Sequence, residues 1–307
     1  MTNPTVRFVV CSALGLLLAG SGSAFAQDPP AVTPTDGTAP PAATGEPTTG
    51  VATTPPPAQG TSNATDVTLK QGGISVDGDI AVGMSSGAAG KPISIVPNVY
   101  YGVNEVLTVG LASNPGSEIF QNVAGAGLCL SGQADGCQKV YNNISLDGLY
   151  SFSRSGTMDV AAPAGLDTSF GDDTLLGLRA GVKGKMLAGP LVLVFDPSLR
   201  FGLNNRDSSF NKEFLSLPVR LGFMATPQLN VGLSVAFNAL IDPPSPIGVG
   251  DIYQVPVGIG GTFAINNMID VRAQFTLNTL GSASNSLGMG VGRADSRTLS
   301  IGAVYRM

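Results

Sequence analysis

The chain has 307 residues, a net charge of −5, 12% charged residues, 41 glycines and neither histidine nor tryptophan. So little charge with so much glycine is foreign to a soluble enzyme, where roughly a quarter of residues are charged. The acidic balance excludes a general basic surface for nucleic acid. The missing histidine removes the commonest general base and the commonest metal ligand together.

Residues 1–26 have the form of a secretory signal. Arg7 supplies the positive start, an apolar stretch follows, and Ala24-Phe25-Ala26 makes a small-x-small cleavage site before Gln27. A membrane anchor is the alternative, but the apolar stretch falls short of the ~20 residues a span needs. Residues 27–72 turn to Pro, Thr, Ala and Gly, with no hydrophobic period, and are expected to form a disordered linker.

From Gly73 onward apolar and polar residues alternate, the period of a strand with two unlike faces. In the first strand Ile74, Val76, Ile80 and Val82 oppose Ser75, Asp77, Asp79 and Ala81. Further strands are predicted over 92–101, 105–112, 143–153, 156–164, 174–185, 190–203, 213–225, 228–240, 251–265, 268–280 and 297–307. That makes about twelve antiparallel strands, and no helix-period segment intervenes. Connections alternate in length. Val103-Asn104, Arg154-Ser155, 186–189, Thr226-Pro227 and Asn266-Asn267 are short, while 113–142, 165–173, 204–212, 241–250 and 281–296 are longer and 85–91 is modest. The polar face carries mostly Gly, Ser, Thr and Asn, whereas a secreted β-sandwich, the alternative, would stud its outer face with Lys and Glu.

The final segment, R-T-L-S-I-G-A-V-Y-R-M, places Leu299, Ile301, Ala303, Tyr305 and Met307 on one face. It resembles the closing strand of bacterial outer-membrane β-barrels, which usually end in Phe where this chain ends in Met. The piece Y-G-V-N-E-V-L-T-V-G-L over 101–111 resembles their hairpins. The resemblance covers 73–307 and implies an all-β, up-and-down transmembrane barrel of porin-like type, with short periplasmic turns, long outer loops and an even strand number. It implies a bacterial outer-membrane location with the N-terminal linker in the periplasm. The implied partners are outer-membrane lipid and the barrel-assembly machinery, the latter engaging 297–307; the oligomeric state is left open. In that frame Tyr101, Phe152, Phe223, Phe263 and Tyr305 belong to one outward aromatic girdle, and Phe201, Phe237 and Tyr253 to the other.

Catalysis lacks its inventory. The carboxylate pairs Asp77/Asp79 and Asp172-Asp173 come with no partner motif, and Asp207, Asp242 and Asp251 have no metal-loop spacing. No cofactor, metal site or catalytic residue is expected. Cys129 and Cys137, an even pair in an exported chain, read as a local disulfide, with two free thiols as the alternative.

The inward charges are the candidate site. Asp77, Asp79, Asp147 and Asp159 come from the earlier strands; Arg179, Lys183, Arg200, Arg220, Arg272 and Arg306 from the later ones, with Asp196 and Asp270 among them. They could set a transverse field across a wet lumen that selects ions. Alternatively they pair across a nearly closed barrel, Arg306 or Arg272 reaching Asp77 or Asp79. Inward Gly177, Gly181, Gly258 and Gly260 are expected to leave space or to let strands bend. Two functions follow: a channel passing small polar solutes by diffusion, or a non-conducting surface, structural or adhesin-type barrel working through its extracellular loops.

Overall fold

The computed structural model describes residues 66–85, 91–113, 119, 124–132, 135, 137, 139–171, 173–206, 211–243, 252–282 and 296–307. The expected signal, and the expected linker as far as residue 65, lie outside the described residues, as do Asp172, Asp207 and Asp251.

Strand segments run in chain order as β1 (Ile74–Gly83), β2 (Ile93–Gly102), β3 (Leu107–Ala112), β4 (Leu128–Cys129), β5 (Asn143–Arg154), β6 (Met158–Phe170), β7 (Thr174–Gly181) and β8 (Lys183–Ala188). They continue with β9 (Leu191–Phe195), β10 (Ser198–Gly202), β11 (Phe214–Met224), β12 (Leu229–Leu240), β13 (Tyr253–Ala264), β14 (Ile269–Ser282) and β15 (Arg297–Arg306). Every pairing is antiparallel between neighbours, and β15 closes on β1 with Ile80 opposite Ile301. β7 with β8, and β9 with β10, each make one interrupted strand, so the wall is a closed barrel of twelve strands. Closure pairs the backbone without leaving an open edge.

The interruptions have a common cause. Pro97, Pro163, Pro218 and Pro256 sit inside strands although proline offers no N–H to a ladder. Beside each, a neighbouring ladder breaks. Strand β3 leaves the wall after Ala112, opposite Asn98, and β4 resumes at Leu128, opposite Ile95, so the pairing passes over Val96 and Pro97. The strand predicted over 174–185 breaks at Val182, next to Gly181, which lies level with Pro163, and the one over 190–203 breaks at Asp196-Pro197, facing Pro218. At Pro256 the register between β13 and β14 shifts.

The short turns are built from side-chain caps. Asn104 Oδ1 accepts from the amides of Val106 and Leu107, Thr226 Oγ1 from Gln228 and Leu229, and Asn266 Oδ1 from Met268 and Ile269. This is the local bond that suits Asn and Thr to tight turns. The other connections are longer, with one correction: β6 runs on to Phe170, and the loop expected over 165–173 shrinks to 171–173. Pro163 and Gly165 look like a turn in sequence, yet the alternation continues through them.

Packing is inverted relative to a water-soluble sheet. Ile80, Leu233, Ile259 and Ile301 are 53–64% exposed, whereas their inward neighbours Asp79, Ser234 and Ser300 are 1–2% exposed. Tyr101, Phe152, Phe223, Phe263 and Tyr305 are all exposed near the short-turn end. Phe237 stacks on Tyr253 at 5.7 Å towards the other end. An apolar surface running right round the wall suits hydrocarbon, not water.

Candidate functional site

Strand alternation carries the charged residues inward, and the register then decides what each one meets. Arg272 on β14 and Asp79 on β1 both lie opposite Gly302 of the intervening β15. Arg272 Nε donates to Asp79 Oδ1 at 2.8 Å and its Nη2 donates to Oδ2, a two-pronged pair passing over bare backbone. Asp77 lies 3.6 Å from the same guanidinium and accepts from Asn98 Nδ2. The arrangement recurs on β5, β6 and β7: Asp147 and Arg179 both lie opposite Gly165, and Arg179 Nη2 donates to Asp147 Oδ1 at 2.8 Å. Arg306 pairs with Asp270 at 2.6 Å, and Arg200 donates to Asp167 at 2.7 Å and to Asn211 Oδ1. Arg272, one of the two partners anticipated for Asp77 and Asp79, reaches both.

The glycines do something other than leave space. A Cβ on Gly302 would overlap the Asp79 carboxylate, one on Gly165 that of Asp147, and one on Gly177 would collide with the Arg200 guanidinium. At Gly181, Gly258 and Gly260 the room is likewise filled, by Pro197, Gln274 and Ala273 with Gln274 respectively. Glycine lets ion pairs lie flat against the wall. Pairs held this way largely cancel their own fields, which reduces the two-walled division of charge read from strand order.

Other charges are placed differently. Arg220 makes no hydrogen bond or ion pair among the described residues, and its Nη2 is buried. It lines a cavity of about 760 Å³ inside the strands, together with Lys70, Lys183, Lys185, Arg272 and Arg306 on the cationic side and Asp66, Asp77 and Asp270 on the acidic side. Asp196 is buried, at 3% exposure, where β9 gives way to β10. Asp159 is fully buried and accepts from Ser151 Oγ, Arg154 Nη2 and the Val67 amide.

The long connection after β3 contributes inward as well. Ile119 is 2% exposed and lines the cavity, and its carbonyl accepts from Gln274 Nε2 of β14 at 3.0 Å. The chain rejoins the wall at β4, where Cys129 is disulfide-bonded to Cys137 with Cα atoms 5.8 Å apart. Gly127, at φ +64°, passes so close to Ile95 that a Cβ would meet its carbonyl at 2.5 Å. Asp167, Arg154, Lys185, Asn98 and Ile119 escaped the sequence reading. Asp167 was recoverable, because Leu166 and Asp167 continue the alternation past Pro163; Ile119 carries no such signal.

No family model matches the chain, and no curated protein matches it. Solved structures of similar outline include the NanC porin (10% identity, TM-score 0.49), covering 75% of this chain and 100% of that one. The KdgM porin, solved with disordered oligogalacturonate, gives 7% identity and TM-score 0.47, covering 75% of this chain and 98% of that one. The outer membrane protein Omp33 of Acinetobacter baumannii gives 14% and 0.42, covering 76% and 97%. With every one of these TM-scores below 0.5, the barrel stands on its own strand pairing and apolar outer face, which place the chain among transmembrane β-barrels by architecture.

Proposed function

We propose that the chain is a porin-like channel of the bacterial outer membrane, passing small polar or ionic solutes by diffusion with a bias towards anions. The observation that carries this reading is the cavity within the wall, whose lining sets Lys70, Lys183, Lys185, Arg220, Arg272 and Arg306 against Asp66, Asp77 and Asp270. An excess of one sign among the charges lining a lumen is how pores discriminate between ions. In this reading residues 1–26 direct export, 27–72 form the periplasmic segment, 73–307 form the barrel in contact with lipid, and 297–307 are read by the assembly machinery. The purified protein in planar lipid bilayers should give discrete, salt-dependent current steps and a reversal potential on the anion side. Silence under those conditions would sink the channel reading and favour a surface barrel acting through its outer loops.

A further inference from the structure

Composition places residues 66–72 in the linker, yet they have addresses inside the barrel. Thr68 is 3% exposed, and 66–70 line the lumen cavity from the end that carries the short turns. The Val67 amide donates to Asp159 Oδ2 at 2.7 Å and the Leu69 amide donates to Thr108 Oγ1 at 2.8 Å. Arg154 Nη2 donates to both Thr68 Oγ1 and Asp159 Oδ2, and its Nε lies 3.9 Å from Asp66. One arginine thus holds the segment and the carboxylate that seats it. The wall is shaped to receive the segment, since the Lys70 carbonyl lies where a Cβ of Gly102 would be. Beyond it, the Gly72 amide donates to Gly102 O at 2.8 Å and Gly72 turns at φ +77° into β1.

We propose that 66–70 is a built-in stopper that narrows the short-turn mouth of the lumen, latched by Arg154, Asp159 and Thr108. Its backbone amides satisfy lumen acceptors that would otherwise face water, so the contact is polar and exchangeable, as a removable stopper requires. This rests on the channel reading, and the test separates the two.

Single-channel conductance is to be compared for the full chain, for a chain lacking only 66–70, and for Gly102→Ala, whose methyl claims the place of the Lys70 carbonyl while leaving length unchanged. Hydrogen exchange at Val67 and Leu69 is measured on the full chain. The stopper requires both amides to exchange more slowly than free chain by about a hundredfold. It requires conductance to rise about twofold in the deletion and in the same direction in Gly102→Ala. Free-chain exchange, or equal conductance in all three proteins, overturns the stopper and leaves the channel standing. Silence from all three overturns the channel and the stopper with it.

Discussion

Arg272 and Asp79 join across Gly302, two residues on strands that do not touch, bridged over a third strand that contributes only backbone. The pair costs little lumen width because nothing stands beneath it. It also binds the first strand to the penultimate one at the seam where the barrel closes.

Replacing Arg272 with Met should therefore remove the guanidinium that Asp77 and Asp79 share at the seam. Breaking a buried pair costs about 3–5 kcal/mol; with Arg272 side chain 20% exposed, a loss of about 2–3 kcal/mol is expected after screening. Gly302→Val should act in the same direction by driving the two partners apart. Denaturant unfolding in lipid vesicles, followed by the heat-modifiable gel shift, measures both. Unchanged midpoints would show that the seam does not depend on this pair.

Arg220 offers the contrast, being half-buried, with its Nη2 shut from solvent and no partner among the described residues. Arg220→Gln should leave stability within about 1 kcal/mol of the native chain, or raise it, because an uncompensated charge is removed. The same change should move the reversal potential towards cations. Arg200→Gln adds to that shift less than Arg220→Gln, because Arg200 is already matched by Asp167. A larger effect at Arg200 would mean that pairing does not mute a lumen charge.

Ile259 lies mid-strand on the outer face, 64% exposed. Ile259→Arg should cost roughly 2–4 kcal/mol in vesicles if that face meets hydrocarbon. Ser234→Thr, on the inner face, should change stability by less than about 1 kcal/mol. Equal costs would contradict the inverted arrangement.

At the outer end Arg206 donates to Glu213 and holds its carboxyl below the ordinary value of 4.5. A depressed folded pKa means the clamp's contribution is complete above about 4.5 and is lost as pH falls through the lower, folded value. The contribution is small, under about 1 kcal/mol, because both side chains are partly solvated. Protection of the 211–213 amides, taken as the intrinsic exchange rate over the observed one, should therefore be flat above pH 5 and fall in acid, and Glu213→Gln should abolish that dependence.

Reducing the Cys129–Cys137 bond should loosen 128–142 without opening the barrel. A loop with a separation of 8 residues contributes about 2–3 kcal/mol by chain entropy. Heat-modifiable migration should persist in Cys129→Ser/Cys137→Ser, while proteolysis between 128 and 142 accelerates.

Strands, faces and short turns were legible because each depends on neighbours along the chain: the alternation around Ile259 and Ile301, or an Asn at position 104 or 266 able to cap its own turn. Reading failed where a local signal competed with that period. Pro163 and Gly165 look like a turn, and only the unbroken pairing of Leu166 with Leu146 and Leu178 keeps them in a strand. The low-complexity character of 27–72 likewise hides the fact that 66–70 meets Thr108 and Asp159, because a segment that binds through its backbone leaves no side-chain pattern.

Sequence alone thus determined which face of every strand is apolar, since the side-chain period of two requires no knowledge of partners. It also placed the charged residues on the other face. Which charge cancels which was decided only by the tertiary structure. Register across three strands sets Gly302 under one ion pair and Gly165 under another, and closure of the ring leaves Arg220 without a carboxylate among the described residues. Such pairings join residues up to 193 positions apart, and no period along the chain encodes them.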